Sequence, residues 1–251
     1  MSINLFKKVG LSVVLAGAFA MSANATCLSE NYCIDTYIGL GGSYENMSGS
    51  GVNVNNLDGF ISLGGSNVYY NKLQVGVDIK AGYGSNEVGG ASLSSINKNN
   101  KLVQFDGMGK IGFNVATKDS PLFINVIGGA DLMISNHGIG RDIGYIGAGI
   151  EGKALLSDKH KLTYSFGYGY IYTGDYRINS VVNKSNGYNQ LFMASFGTQT
   201  KISENTSFYS KGFVKYYNLG SSNSVQVNGS QNINMPATKL WQGGIEVGIS
   251  F

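Results

Sequence analysis

Eleven consecutive residues, from Leu73 to Tyr83, alternate without a break. Leu73, Val75, Val77, Ile79, Ala81 and Tyr83 are apolar or aromatic, and Gln74, Asp78 and Lys80 lie between them. A period of two belongs to a β-strand, whose successive side chains point to opposite faces. One face of this strand must meet an apolar medium, while the other carries charge. The pattern recurs in ten segments, at about 34–44, 57–69, 73–83, 101–116, 122–135, 143–155, 162–172, 190–201, 206–217 and 240–251. Val103, Phe105, Ile111, Phe113 and Val115 share the apolar face of the fourth, and Leu122, Ile124, Val126, Ala130, Leu132 and Ile134 that of the fifth.

Composition narrows what such strands can build. Charged residues are 13%, and there are two prolines against 37 glycines, 16 tyrosines and 12 phenylalanines. Disordered chains lack aromatics, and coiled coils are rich in Ala, Glu, Lys and Leu, so neither class fits. Connections sort by length. Those at 71–72, 117–121, 157–160 and 202–205 are short, and those at 45–56, 84–100, 136–142, 173–189 and 218–239 are mostly long and rich in Asn, Ser and Gly. Short turns at one end and long loops at the other are the habit of membrane barrels, in which every backbone polar group must be paired. The expectation is an all-β, transmembrane, antiparallel up-and-down β-barrel of about ten strands, eight if one hairpin is misread. Both termini fall at the periplasmic, short-turn end.

The ends of the chain agree. Lys7 and Lys8 precede an apolar run, Val9 to Ala20, and then Ala23-Asn24-Ala25. That is the layout of a secretory signal, cleaved before Thr26; about 12 apolar residues fall short of the roughly 20 a spanning helix needs. The domain expectation is therefore a signal peptide over 1–25, a short periplasmic segment over 26–33 and the barrel over 34–251. Without Lys7 and Lys8, 16 of the 18 basic residues remain against 15 acids, too near neutrality to suggest nucleic acid. Cys27 and Cys33 most simply close a small disulfide loop in an oxidising exported compartment. The residues before Cys27 lack the context of a lipoprotein signal, and two cysteines without a nearby His do not suggest a metal.

The final strand places Trp241, Ile245, Val247, Ile249 and Phe251 on one face, and Gln242, Glu246 and Ser250 on the other. A terminal aromatic with apolar residues two, four and six positions earlier resembles the C-terminal insertion signal of Gram-negative outer-membrane barrels. With Tyr37-Ile38-Gly39-Leu40-Gly41-Gly42-Ser43-Tyr44 and Ile143-Gly144-Tyr145-Ile146-Gly147-Ala148-Gly149-Ile150-Glu151, the chain resembles the small opacity-protein and OmpA-type outer-membrane barrel superfamily. It has an extra hairpin relative to eight-stranded members and no appended periplasmic domain. The resemblance implies location in the bacterial outer membrane, and lipid, lipopolysaccharide and the barrel assembly machinery as partners. It also implies a non-enzymatic surface protein, an adhesin or surface antigen, whose loops contact a host protein or glycan. The alternatives are a small porin or specific channel and, third, an outer-membrane enzyme.

Inward positions collect Asp35, Asp78, Asp106, Asp131, Glu151 and Glu246 against Lys80, Lys110, Lys153, Lys211 and Lys215. Buried charges persist when paired, so a packed ion-pair network filling a narrow lumen is expected, with a lined pore as the alternative. Tyr164, Phe166, Tyr168, Tyr170, Tyr172 and Trp241 read as an aromatic girdle, and Tyr209, Tyr216 and Tyr217 group with them. No cofactor is expected: Gly147-Ala148-Gly149 alternates as strand with no helix following, so it does not suit phosphate. For catalysis, His160 reads as a turn residue, and His137, near Asp131 and Asp142, is the sole candidate base without a nucleophile motif. An omptin-type protease would need two acidic pairs on opposing loop walls, where Glu45, Glu87, Asp142 and Asp175 are nearly all the acids present.

Overall fold

The computed structural model describes residues 27–29, 31–94, 96–178, 181–227 and 231–251. The expected signal peptide, with Ala23, Ala25 and Thr26, lies outside the described residues. The strands are β1 (Cys27–Ser29), β2 (Tyr32–Gly49), β3 (Val52–Tyr69), β4 (Leu73–Gly89), β5 (Asn99–Asn114), β6 (Leu122–Ser135), β7 (Ile139–Leu155), β8 (His160–Ile178), β9 (Val181–Lys184), β10 (Asn189–Lys201), β11 (Ser207–Leu219), β12 (Val225–Val227), β13 (Gln231–Ile233) and β14 (Thr238–Ser250).

Ten of them are long, and each pairs antiparallel with its neighbours in the order β2-β3-β4-β5-β6-β7-β8-β10-β11-β14, with β14 closing on β2. The count is ten, not eight. Closure removes the sheet edges that an open sheet would expose. The ladder extends past β14, where Phe251 N–H donates to Thr36 O at 2.8 Å and Thr36 N–H to Phe251 O at 3.1 Å. β1 folds back on β2 with Cys27 opposite Cys33 in register, and Cys33 is disulfide-bonded.

The long strands run from 13 to 19 residues, where about 9–11 tilted residues cross a bilayer. The excess stands above the membrane. This corrects the expected loops: 45–56 shrinks to the Ser50-Gly51 turn, with Gly51 at φ 71°, and 136–142 shrinks to a turn at 136–138 before β7. The other three are shortened in the same way, to 90–98, 179–188 and 220–237. At the opposite end the turn after β3 places Tyr70 and Asn71 at φ 54° and 55°, the left-handed pair of a tight hairpin.

The physical reason for the longer strands is a switch of polarity at constant period. Toward the short turns, the outer face is apolar: Ile61 is 52% exposed, Val126 62% and Ile245 72%. Such a contiguous apolar exterior is incompatible with water and is the belt a bilayer covers. Toward the other end, the outer positions become Asn46, Ser48, Asn53 and Asn55, whose amides hydrogen-bond across β2 and β3 at 2.8–2.9 Å. The inner positions there become Met47, Val52, Val54, Ile139, Ile143, Leu219 and Leu240, all buried. β2 and β3 are thus membrane segments continued by water-facing segments with their faces exchanged.

Candidate functional site

In the interior, charged side chains converge from most of the strands, and they are organised in levels. Nearest the short turns, Asp35 pairs with Lys153 across the lumen. Lys110 bridges Asp78 at 3.4 Å and Glu151 at 2.7 Å. Gln74 Nε2 donates to Glu151 at 2.7 Å, and Tyr37 donates its hydroxyl to Asp78 at 2.6 Å.

At the next level Glu246 is fully enclosed. Lys211 and Lys80 lie 3.0 and 3.4 Å from its carboxylate, and Tyr209 and Ser62 donate to it, each at 2.8 Å. Lys80 Nζ also sits 3.6 Å from the Phe213 ring centroid and 4.7 Å from that of Phe60, so an aromatic pair shields the cation. Lys215 pairs with Asp106. Between the charges and the short-turn rim lies a cavity of about 270 Å³.

The third level closes the lumen. Arg141 spans Glu45 and Asp131, with the Asp131 contact at 3.0 Å, and all three side chains are at most 2% exposed. Tyr217 donates to Asp131 at 2.7 Å, Asn56 to Glu45 at 2.7 Å, and Asn86 to Asn56 at 2.6 Å. Above this set, Met47, Val54, Val88, Ile139, Tyr176 and Leu240 join one apolar cluster with Leu93 and Ile96 of the 90–98 connection and Ile233 and Met235 of the last. Two connections thus fold inward as a lid.

All eleven expected lumen charges, Asp35, Asp78, Lys80, Asp106, Lys110, Asp131, Glu151, Lys153, Lys211, Lys215 and Glu246, take part in these interior ion pairs. Sequence reasoning missed Arg141 and also Asp58, a buried carboxylate that accepts from the Ser43 hydroxyl, and it assigned Glu45 to a loop. Glu45 is corrected to the interior, at 1% exposure. A signal was available, since Ile139, Arg141 and Ile143 alternate on one face. Tyr209 and Tyr217 are likewise corrected from the outer face to the interior, where they hold Glu246 and Asp131; odd positions of β11 point inward. Phe166, Tyr168, Tyr170, Tyr172 and Trp241 are exposed on the outside, and Tyr164 is half-buried. Tyr216 stacks on Trp241 at 4.5 Å. Ile245 and Val247 also face outward.

The candidate base gains no partner. His137 is exposed in its turn, while Asp131 is committed to Arg141 and Tyr217, and Asp142 to a two-pronged pair with Arg177. His160 lies at the other end, its Nδ1 3.0 Å from Thr200 Oγ1. Glu87 pairs with Lys98 at 3.5 Å on the surface. Asp175 stands opposite Asp142, and burial, aided by that neighbouring carboxylate, raises its pKa above the usual carboxylate value. No cluster of three or more His, Cys, Asp or Glu suited to a metal occurs among the described residues.

The outer surface beyond the lid is also knit together. β9 folds back and pairs antiparallel with the end of β8, β12 pairs β13, and the two connections join through a Ser185–Ser222 bridge. Asn186 N–H donates to Ser221 O at 2.7 Å, Asn223 N–H to Lys184 O at 3.2 Å, and the Asn186 and Asn223 side chains bond at 2.7 Å.

No protein-family model and no curated protein sequence matches the chain. Among solved structures it is similar to the outer membrane protease OmpT from Escherichia coli, at 10% identity and a TM-score of 0.61, covering 92% of this chain and 99% of that one. The outer membrane protein OprG from Pseudomonas aeruginosa gives 9% identity, a TM-score of 0.41 and coverages of 88% and 94%. The translocator domain of the autotransporter NalP from Neisseria meningitidis gives 12%, 0.39, 100% and 97%. The likeness to OmpT, at 10% identity, is one of fold alone, that of an outer-membrane β-barrel.

Proposed function

We propose that this outer-membrane barrel is a non-enzymatic, non-conducting surface protein, an adhesin or surface antigen whose loop end is the contact surface. The observation that carries the reading is the sealed upper interior. A solute entering from outside would have to part the apolar lid and then the Arg141, Glu45 and Asp131 set, in which both carboxylates are ion-paired to the one guanidinium and all three side chains are at most 2% exposed. Buried polar networks of this kind hold one conformation, and removing a partner is costly. Ten strands also leave little lumen beyond what side chains fill.

The knit of the two long connections supports the contact role. It presents Asn, Ser and Lys groups on a fixed frame, and adhesion through preordered loops avoids part of the ordering cost of binding. Neutral amide and hydroxyl groups suit hydrogen-bonded contact with host glycan or protein. The exposed histidines, each without a carboxylate, favour the non-enzymatic reading over the enzyme.

Two measurements test it. Purified full-length protein in planar bilayers is expected to give no stable conductance, and large lasting open channels would replace this reading with the porin. Cells displaying a variant with Lys184, Asn186 and Asn223 changed to Glu are expected to attach to host monolayers about tenfold less than wild type, equal to roughly 1.4 kcal/mol at one contact. Undiminished attachment would reject the loop-mediated contact.

A further inference from the structure

The surface reading leaves the cavity at the short-turn end unused, and the inference about it does not depend on that reading. The cavity begins at the rim, where the Asp35 and Lys153 side chains are each 33% exposed, and ends beneath Lys215 and Asp106. Its two walls differ. One carries charges already matched to one another, Lys110 to Asp78 and Glu151, Lys211 to Glu246 and Lys215 to Asp106. The other, made by β6, β8 and β10, presents Ile127 and Met193, and Met108 stands at the border of the two, between Asp106 and Lys110 on β5. Gly167 lets both side chains close over β8: a Cβ there would come within 2.8 Å of Met193 Cγ and 3.2 Å of Ile127 Cδ1.

Two polar side chains stand in the lining without a partner. Tyr145 is 1% exposed and Asn125 3%, and neither the Tyr145 hydroxyl nor Asn125 Oδ1 makes a hydrogen bond. A buried polar atom left unpaired carries its full desolvation cost, and such groups are scarce in folded proteins. Their position on the wall of a cavity, rather than within the packed lid, points to an occupant that meets them.

We propose that this cavity is a binding site for a small, neutral, amphipathic molecule entering from the short-turn end. Its apolar body lies on Ile127 and on Met108 and Met193, whose thioethers adapt to flat or branched shapes. Its hydroxyl or amide head meets Asn125 or Tyr145. Neutrality follows from the opposite wall, because an ion would have to compete with pairs that are already made. The volume, at the lower edge of the roughly 300–1,000 Å³ common for small-molecule sites, restricts the ligand to less than drug size.

The test uses full-length protein in micelles with methionine methyl groups labelled for NMR, and benzyl alcohol as the probe. Saturable shifts are expected at Met108 and Met193, with Met47, Met133 and Met235, which pack in the sealed upper half, unmoved. Ser195→Phe, which fills the cavity from β10, is expected to weaken the apparent affinity at least about tenfold. Shifts of all five methyls that rise linearly, the mark of general partitioning, would overturn the site, as would no shift at all. If Ser195→Phe does not run as a closed barrel on an unboiled gel, Asn125→Leu replaces it. That variant is expected to erase the preference for benzyl alcohol over ethylbenzene, and an unchanged preference would refute the assigned head-group contact.

Discussion

The two halves of this barrel are built on the same strands with opposite polarity. In the half near the short turns, apolar side chains face outward and charges face inward around a cavity; in the half near the loops, amides and charges face outward and the interior is a dry core sealed by a single buried cation. The lower half obeys the rules of a protein in lipid, and the upper half those of a small water-soluble barrel. The difference teaches that in such a chain period and polarity are separate signals. Period two tells where the strand is, while the sign of the alternation tells which solvent surrounds it.

The sharpest test of the contrast is to remove a cation from each half. Arg141→Ala leaves Glu45 and Asp131 buried and unpaired, and the expected loss is about 3–5 kcal/mol, read as a lowered denaturant midpoint in micelles. Lys153→Ala, at the solvent-reached rim, is expected to cost less than about 1 kcal/mol. Equal losses would mean that the two halves are equally wet, contrary to the exposure of their side chains.

A finer test removes one hydroxyl from each level. Tyr217→Phe takes from Asp131 a buried donor at 2.7 Å, and the expected cost is about 1.5–3 kcal/mol, as for hydrogen bonds to charged groups. Tyr209→Phe is expected to cost less, because Ser62, Lys80 and Lys211 still hold Glu246. A reversal of that order in the same unfolding measurement would break the claim that the upper set is the tighter one.

The strand count and the two faces could be read from the residues because period two assigns a side to every position once a strand is recognised. Reading stopped where the polarity inverted. The stretches 45–56 and 136–142, rich in Asn, Ser and Gly, resemble loops in composition, and Glu45 and Arg141 were lost with them. Met47, Val52 and Val54 against Asn46, Ser48, Asn53 and Asn55 carried the missing signal, an alternation of opposite sign. Tyr209 and Tyr217 mislead for a related reason, since tyrosine suits both an interface with lipid and a donor inside a polar lumen.

By itself the sequence determined a closed barrel of alternating strands, with lipid outside one end and charge within, because a two-residue period and an all-paired backbone leave few other arrangements for such a composition. It could not determine which charge meets which. Asp35 and Lys153 are 118 residues apart, Asp106 and Lys215 are 109 apart, and Glu45 and Arg141 are 96 apart. Those pairings depend on how strand tilt and register set side chains at one height across the lumen. Only the closed tertiary structure fixes that height, and with it the seal at one end and the cavity at the other.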